Sequence, residues 1–149
     1  IIQNPCLEIK KKNNKLGNKT LYNLNGFKLV MSNNIINPLI IYLNKKRFAK
    51  TFINDLKMLE PTLFVSYKRN YYISKLSNFR VTFDEEIKYK KINTRSKFAL
   101  KSHSAENKMI MEVKYSPDVK DHYLNFLSQL PFRLSKNSKY INGIMQFLD

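Results

Sequence analysis

Apolar and polar residues alternate along several stretches of the chain. Successive side chains of a β-strand point to opposite faces, so this period of two predicts strands with one apolar and one polar face. The predicted strands cover residues 6–12, 19–24, 62–73 and 79–88, and a last strand contains Glu112 and Lys114. The short apolar stretch 27–31 adds another strand, and the mixed polar residues 90–107 are interpreted as a loop or ragged strands.

Apolar residues recur at helical spacing in three other stretches. The first predicted helix begins at Asn37, which can cap it, and continues until Pro61. A second helix is predicted after Ser116-Pro117, and a short third one after the polar segment 136–139. Helices with a single apolar stripe can cover the apolar faces of strands, so the sequence predicts an α+β fold in one domain of residues 1–149.

One four-residue pattern occurs twice, as Leu7-Glu8-Ile9-Lys10 and as Met111-Glu112-Val113-Lys114. On a strand, the Glu and the Lys of each copy share a face, which places a carboxylate beside an ammonium group. Carboxylates hold hard divalent cations, and fixed positive charges hold phosphate oxygens. An ordinary antiparallel sheet would turn such faces to water, whereas closing the strands into a barrel would enclose them in a basic tunnel.

The charge of the chain indicates an anionic partner. Lys and Arg number 27 against 11 Asp and Glu, which leaves a net charge of +16. Nucleic acid, a nucleotide, polyphosphate and an acidic membrane all remain open on this evidence. The single cysteine, Cys6, excludes an internal disulfide, and we expect it to be a small buried residue. No apolar run reaches the roughly 18–20 residues that a membrane-spanning helix needs.

A phosphate-binding segment is indicated near the C-terminus. Ser138 precedes the last predicted helix, and Lys136 and Lys139 flank it. The free amides and the dipole at a helix start favour an anion, and two ammonium groups add to this effect. The chain has only three glycines, far apart, so it contains no glycine-rich phosphate loop.

Five segments in chain order resemble the motifs of a known family. They are Leu7-Glu8-Ile9-Lys10 with Lys19, Val65-Ser66-Tyr67-Lys68-Arg69, Phe79-Arg80-Val81-Thr82-Phe83-Asp84, Met111-Glu112-Val113-Lys114-Tyr115 and Ser138-Lys139-Tyr140-Ile141-Asn142-Gly143. Together they resemble the polyphosphate polymerase domain of the vacuolar transporter chaperone (VTC) type, within the triphosphate tunnel metalloenzymes.

The resemblance implies a fold, a reaction and a set of site residues. The fold would be an antiparallel β-barrel, the triphosphate tunnel, with helices packed outside. The reaction would move the terminal phosphoryl group of ATP onto a growing polyphosphate chain, with Mn²⁺ or Mg²⁺ as cofactor. The implied catalytic residues are Arg69, Arg80, Lys114 and Lys139. The implied substrate-binding residues are Lys10, Lys19, Tyr67, Lys136 and Ser138. The implied metal ligands are Glu112 and Glu8.

The resemblance also sets expectations for partners and location. ATP and polyphosphate are the expected ligands, no nucleic acid is expected, and a membrane-bound companion subunit or domain is implied. The expected location is the cytoplasm or the cytosolic face of a membrane. Family strands upstream of Ile1 have no counterpart here, and Thr20 follows Lys19 where the family commonly has a basic residue. We therefore expect the chain to be the C-terminal part of the domain.

Three other functions remain open at this point. A basic nucleic-acid-binding protein of the ribosomal type would share the net charge and the many Tyr and Phe residues. A tunnel triphosphatase would use the same phosphate contacts with water as the acceptor. A domain that binds polyphosphate without turnover would need the contacts alone.

Overall fold

The computed structural model describes residues 1–13, 16–30, 34–75, 79–92, 102–104, 108–115 and 120–148. They form two compact units, one made of described residues up to 61 and one made of described residues from 62 onward. Both units combine antiparallel strands, and the whole has four helices among the described residues, so the predicted α+β class is confirmed. The single-domain assignment and the closed tunnel stay predictions, because the described strands form three separate sheets.

The first unit contains two small sheets and two helices. Its elements are β1 (Ile2–Gln3), β2 (Cys6–Asn13), β3 (Leu16–Asn23), β4 (Lys28–Leu29), α1 (Ile36–Lys45) and α2 (Lys50–Lys57). Strands β2 and β3 form the predicted hairpin, in which Leu7 pairs with Tyr22. The ring of Tyr22 lies 5.4 Å from Phe48 and 5.9 Å from Phe52, so these side chains pack the apolar side of the hairpin against the helical segment. The buried core beneath consists of Leu24, Phe27, Leu39, Leu43, Ile53 and Leu56.

Three expectations for this unit are wrong. The predicted single helix is interrupted after α1, because Arg47 adopts a left-handed φ of 59°. The amide of Phe48 donates to the carbonyl of Leu43, and the amide of Arg47 donates to that of Asn44, which is the Schellman arrangement that ends helices. Asn37 does not cap α1, since the helix begins one residue earlier and Ile35 occupies the cap position. Cys6 is exposed, not buried.

The second unit is built around one long central strand. Its elements are β5 (Leu63–Ile73), β6 (Phe79–Lys91), β7 (Ser102–Ser104), β8 (Ile110–Tyr115), α3 (Lys120–Ser128) and α4 (Lys139–Met145). Strand β6 pairs with β5 along one edge, and with β8 and then β7 along the other. Strand β7 falls within the segment interpreted as a loop or ragged strands. Residues 93–101 and 105–107 of that segment, and Ser116-Pro117, lie outside the described residues.

A β-bulge divides β6 into two halves. Ser66 pairs with Lys88 but Lys68 pairs with Glu85, so Tyr67 alone opposes both Glu86 and Ile87. Glu86 has a left-handed φ of 50°, which places the extra residue of the bulge here. An extra residue shifts the alternation by one. Thr82 and Asp84 are buried before the bulge, whereas Ile87 and Tyr89 are buried after it.

The bulge gives the sheet one mixed face, called the polar face below. It carries Tyr67, Arg69, Tyr71, Arg80, Thr82, Asp84, Ile87, Tyr89, Glu112 and Lys114. Helix α4 packs on this face beyond the bulge. At Gly143 an added Cβ would lie 2.5 Å from both Leu63 Cδ2 and Tyr89 Cδ1, so only glycine allows this approach.

The opposite face of the sheet is apolar near the start of β6, although Ser66, Lys68 and Asn70 of β5 also lie on it. It carries Phe79 and Phe83, and the ring of Phe126 on α3 lies 5.0 Å from the ring of Phe79. Helices α3 and α4 therefore contact opposite faces of the sheet. Among the described helices, none combines the length and the apolar character that crossing a bilayer requires.

Candidate functional site

The polar face of the second unit brings six charged side chains together. Cross-strand pairing sets Arg69 opposite Asp84, Arg80 opposite Lys114, and Thr82 opposite Glu112. Helix α4 adds the sixth residue, because the ammonium group of Lys139 pairs with Asp84. We call these six charged residues the sheet cluster: Arg69, Arg80, Asp84, Glu112, Lys114 and Lys139. Its four cations and two carboxylates sum to a net charge of +2, which leaves it attractive to anions.

Asp84 holds two of these cations in place. Its side chain is 0% exposed, and Arg69 donates to both of its oxygens, from Nε to Oδ1 at 2.5 Å and from Nη2 to Oδ2 at 2.7 Å. The hydrogen bonds from Arg69, and after them the one from Lys139, keep the pKa of Asp84 below its ordinary value although burial opposes this. The same hydrogen bond raises the pKa of Arg69. Asp84 thus ties β5 and α4 to β6.

Tyr67 lies close to both of the cations that Asp84 binds. The Arg69 guanidinium carbon is 5.0 Å from the centre of the Tyr67 ring, and the Lys139 nitrogen is 4.9 Å from it. Both distances are in the range of cation–π attraction. Tyr67 is the residue of β5 that stands opposite the bulge, where it faces Glu86 and Ile87 of β6. Tyr67 therefore helps to fix the positions of Arg69 and Lys139.

Glu112 forms the more open side of the sheet cluster. Its Oε1 lies 3.2 Å from Lys114 Nζ, and its Oε2 lies 4.0 Å from Arg69 Nη2. Arg80 is exposed directly opposite Lys114 and has no carboxylate partner in the described part of the chain. Like charges that face each other across strands destabilise a sheet. An anion bound between Arg80 and Lys114 would remove this repulsion.

The predicted phosphate-binding segment, residues 136–139, contributes one residue to the sheet cluster. Ser138 is the N-cap of α4, as predicted, and its Oγ accepts a hydrogen bond from the amide of Ile141 at 3.3 Å. Lys136 and Ser138 are exposed. The ion pair described for this segment joins Lys139 to Asp84.

The first unit contains a second, smaller group of charges, described here by itself. Glu8 Oε1 lies 2.8 Å from Lys10 Nζ, and Oε2 lies 2.5 Å from Lys19 Nζ. Hydrogen bonds from Lys10 and then Lys19 lower the pKa of Glu8. Lys10 and Lys19 pair directly across the hairpin. The arrangement matches that of Glu112 and Lys114, where the Lys also faces a cation across the sheet. Both copies of the repeated sequence pattern therefore form a Glu–Lys ion pair beside a second cation.

Asp84 is the residue whose role the sequence interpretation missed. It stands in the third of the five motifs and alternates with Arg80 and Thr82, but no role was assigned to it. A signal was present. A lone carboxylate on a face of basic residues is the usual partner of the cation opposite, and pairing β5 with β6 would have identified that cation as Arg69.

The described carboxylates could hold a divalent cation only together with oxygen atoms of a bound ligand or of water. Within the described ranges, no three His, Cys, Asp or Glu side chains lie close enough to form a metal site. Asp84 has both oxygens bound by Arg69 and Lys139, and Glu8 has both bound by lysines. Glu112 is part-exposed and loosely paired. One carboxylate with phosphate oxygens and water is a sufficient set for Mg²⁺ or Mn²⁺.

Comparison with protein families gives a match to the VTC domain, whose family model covers residues 3–148 of the chain. Comparisons with curated proteins and with solved structures give no match.

Proposed function

The chain belongs to the VTC-domain family, and on this premise we propose that it acts as a polyphosphate polymerase. In the proposed reaction the terminal phosphoryl group of ATP moves to a growing polyphosphate chain. The acceptor is a terminal phosphate oxygen, the new bond joins it to the transferred phosphorus, and ADP leaves. The family membership supports a phosphate-handling enzyme, and the polymerase reaction itself is our proposal.

The observation that carries the proposal is the sheet cluster. Phosphoryl transfer passes through a loose transition state whose charge lies on the equatorial oxygens, so positioned cations can stabilise it without a protein nucleophile. Arg69 and Lys139 are already fixed by the buried Asp84. Arg80 and Lys114 face each other at the open side. Four cations on one face, two of them rigidly held, form a suitable surface for adjacent phosphate groups.

Each residue of the cluster receives a role in the proposal. Arg80 and Lys114 bind phosphate oxygens, and Arg69 and Lys139 stabilise the transferred group. Tyr67 keeps the latter two oriented through its ring. Glu112 would hold the divalent cation, Mn²⁺ or Mg²⁺, which when bound would neutralise charge on the phosphate oxygens.

The remaining parts of the proposal come from the family resemblance. Lys10, Lys19, Lys136 and Ser138 serve as further phosphate contacts, and Glu8 serves as a second metal-site residue. The strands close into a tunnel, although the described strands form open sheets. The partners are ATP, polyphosphate and a membrane-bound companion subunit or domain, and the location is the cytoplasm or the cytosolic face of a membrane.

The first experiment asks whether the chain makes polymer. The chain is incubated with ATP and Mn²⁺, and products are separated on a gel stained for polyphosphate while released phosphate is measured in parallel. We expect polymer that requires Mn²⁺ and disappears in Glu112→Gln. Glu86→Gln is the matched control, because Glu86 is an exposed carboxylate of the same sheet that pairs with Lys68 outside the sheet cluster.

Other results would contradict the polymerase. Released phosphate without polymer would indicate a triphosphatase, and tight polyphosphate binding without either product would indicate a binding domain. Filter binding of polyphosphate and single-stranded RNA at equal charge tests the nucleic-acid alternative. Stronger binding of RNA, with Glu112→Gln equal to the parent in every assay, would overturn the proposed function.

A further inference from the structure

Thr82 carries a buried hydroxyl group that has no partner. The residue is 3% exposed, and no hydrogen bond to its Oγ1 exists within the described part of the chain. It lies on the polar face of β6, between Arg80 and Asp84. A buried hydroxyl that gives up its hydrogen bonds to water costs free energy unless another group replaces them. None of the roles proposed above involves Thr82, so its unpaired hydroxyl is left without an explanation.

Among the described residues, Glu112 is a carboxylate that this hydroxyl can reach. Thr82 and Glu112 are direct partners across β6 and β8, and directly opposed residues have Cβ atoms about 5 Å apart. A rotation of the Glu112 side chain can therefore bring a carboxylate oxygen to Thr82 Oγ1. In the free protein, Oε1 of Glu112 instead lies 3.2 Å from Nζ of Lys114.

A bound polyanion would change this balance. Lys114 faces Arg80 across the sheet, and phosphate oxygens placed between them would compete with Glu112 for Lys114. Once Lys114 turns to phosphate, the Glu112 side chain is no longer held toward Lys114 and can rotate toward the Thr82 hydroxyl, which has a proton to donate. Hydrogen bonds of this kind orient carboxylates that hold metal ions and raise metal affinity.

We infer that Thr82 is a positioning residue, whose hydroxyl donates to Glu112 and orients that carboxylate when a metal–polyphosphate ligand occupies the sheet cluster. The inference rests on the proposed function, because it assigns Glu112 to the metal. It adds a residue that acts through another one and does not itself touch the reacting phosphates.

The test compares two substitutions that separate the hydroxyl from the shape of the side chain. Thr82→Val keeps the shape and removes the hydroxyl, whereas Thr82→Ser keeps the hydroxyl. Mn²⁺ binding to the chain is measured in the presence of tripolyphosphate, by the electron paramagnetic resonance signal of free Mn²⁺. We expect Thr82→Val to raise the Mn²⁺ dissociation constant about tenfold, as loss of other metal-orienting groups does. Thr82→Ser should stay within about twofold of the parent.

A second measurement separates this role from a merely structural one. Thermal unfolding is recorded without Mn²⁺ or phosphate. Because no partner for the hydroxyl is found among the residues that the structure describes, Thr82→Val should unfold at a temperature equal to or above that of the parent. Ser66→Ala, which removes an exposed hydroxyl from the other face of the sheet, should change neither the Mn²⁺ affinity nor the unfolding temperature.

Several results would overturn the inference. A lower unfolding temperature for Thr82→Val than for the parent, measured without Mn²⁺ or phosphate, would show that the hydroxyl is already hydrogen-bonded in the free chain. Equal Mn²⁺ affinity in Thr82→Val and the parent would also overturn it, as would an equal loss in Thr82→Ser. If the parent chain binds no Mn²⁺ with tripolyphosphate, the proposed function fails and this inference with it. Parent-like binding by Thr82→Val removes this inference alone.

Discussion

Replacing Asp84 by Asn tests the central contact of the second unit. The substitution keeps the size of the side chain and removes the charge that Arg69 and Lys139 share. Arg69 donates to two carboxylate oxygens, and an amide presents only one acceptor oxygen. Two cations would then stand beside a neutral group at a position that is 0% exposed.

The expected loss in the free energy of unfolding follows from the burial of Asp84. Removing one partner of a buried ion pair typically costs about 3–5 kcal/mol. Arg69 and Lys139 keep 23% and 20% of their side-chain surface exposed, so water can partly replace the lost partner. We therefore take the lower end, about 3 kcal/mol. For a chain of this length this corresponds to a fall in the unfolding temperature of about 6–12 °C.

The assay is urea and thermal unfolding followed by far-ultraviolet circular dichroism. Glu86→Gln is the control, since it removes a carboxylate that is exposed on the same strand and paired with Lys68. We expect Glu86→Gln to unfold like the parent. If Asp84→Asn also unfolds at the parent's urea concentration and temperature, Asp84 does not hold β5 and α4 to β6, and the reasoning is refuted.

Two further predictions concern the same unit. The lowered pKa of Asp84 means that the unfolded chain takes up the proton first as pH falls, so the stability contributed by Asp84 is complete above its ordinary pKa and is lost below it. The difference in urea midpoint between the parent and Asp84→Asn should shrink from about pH 5 downward, and a constant difference would contradict this. Gly143→Ala should destabilise the unit by about 1–2 kcal/mol, since its Cβ would overlap Leu63 and Tyr89. Urea unfolding measures this loss against Met145→Ala, an exposed change on the same helix, and equal midpoints would show that α4 can shift.

The alternation of residues was sufficient to predict most of the strands. The predicted strand 62–73 is observed as Leu63–Ile73, and the predicted strand 79–88 as Phe79–Lys91. The start of the last helix after Ser138 was predicted for the right reason, since the Ser138 side chain caps it. These features depend on local preferences that a single sequence displays directly.

The features that the sequence did not reveal depend on backbone conformation. A left-handed residue ends α1, but Arg47 is not a residue type that marks such a position, and Phe48 and Phe52 continue the apolar stripe across the break. The bulge at Glu86 was missed for the same reason, because Glu is not a residue type that marks a left-handed backbone conformation. Strict alternation would set Ile87 and Tyr89 beside Phe83, yet they lie on the face of Asp84. The role of Asp84 follows from strand pairing, which periodicity alone does not give.

The carboxylate of Glu112 acts as an occupant that a ligand must displace. Lys114 already has one carboxylate partner in the free protein, so an arriving anion gains only the difference in free energy between two ion pairs. A small singly charged ion such as chloride gains little from this exchange. An anion with several neighbouring charges also contacts Arg80. No carboxylate partner of Arg80 is described, so no ion pair has to be broken there. We therefore expect the strand pair to bind polyanions in preference to singly charged ions.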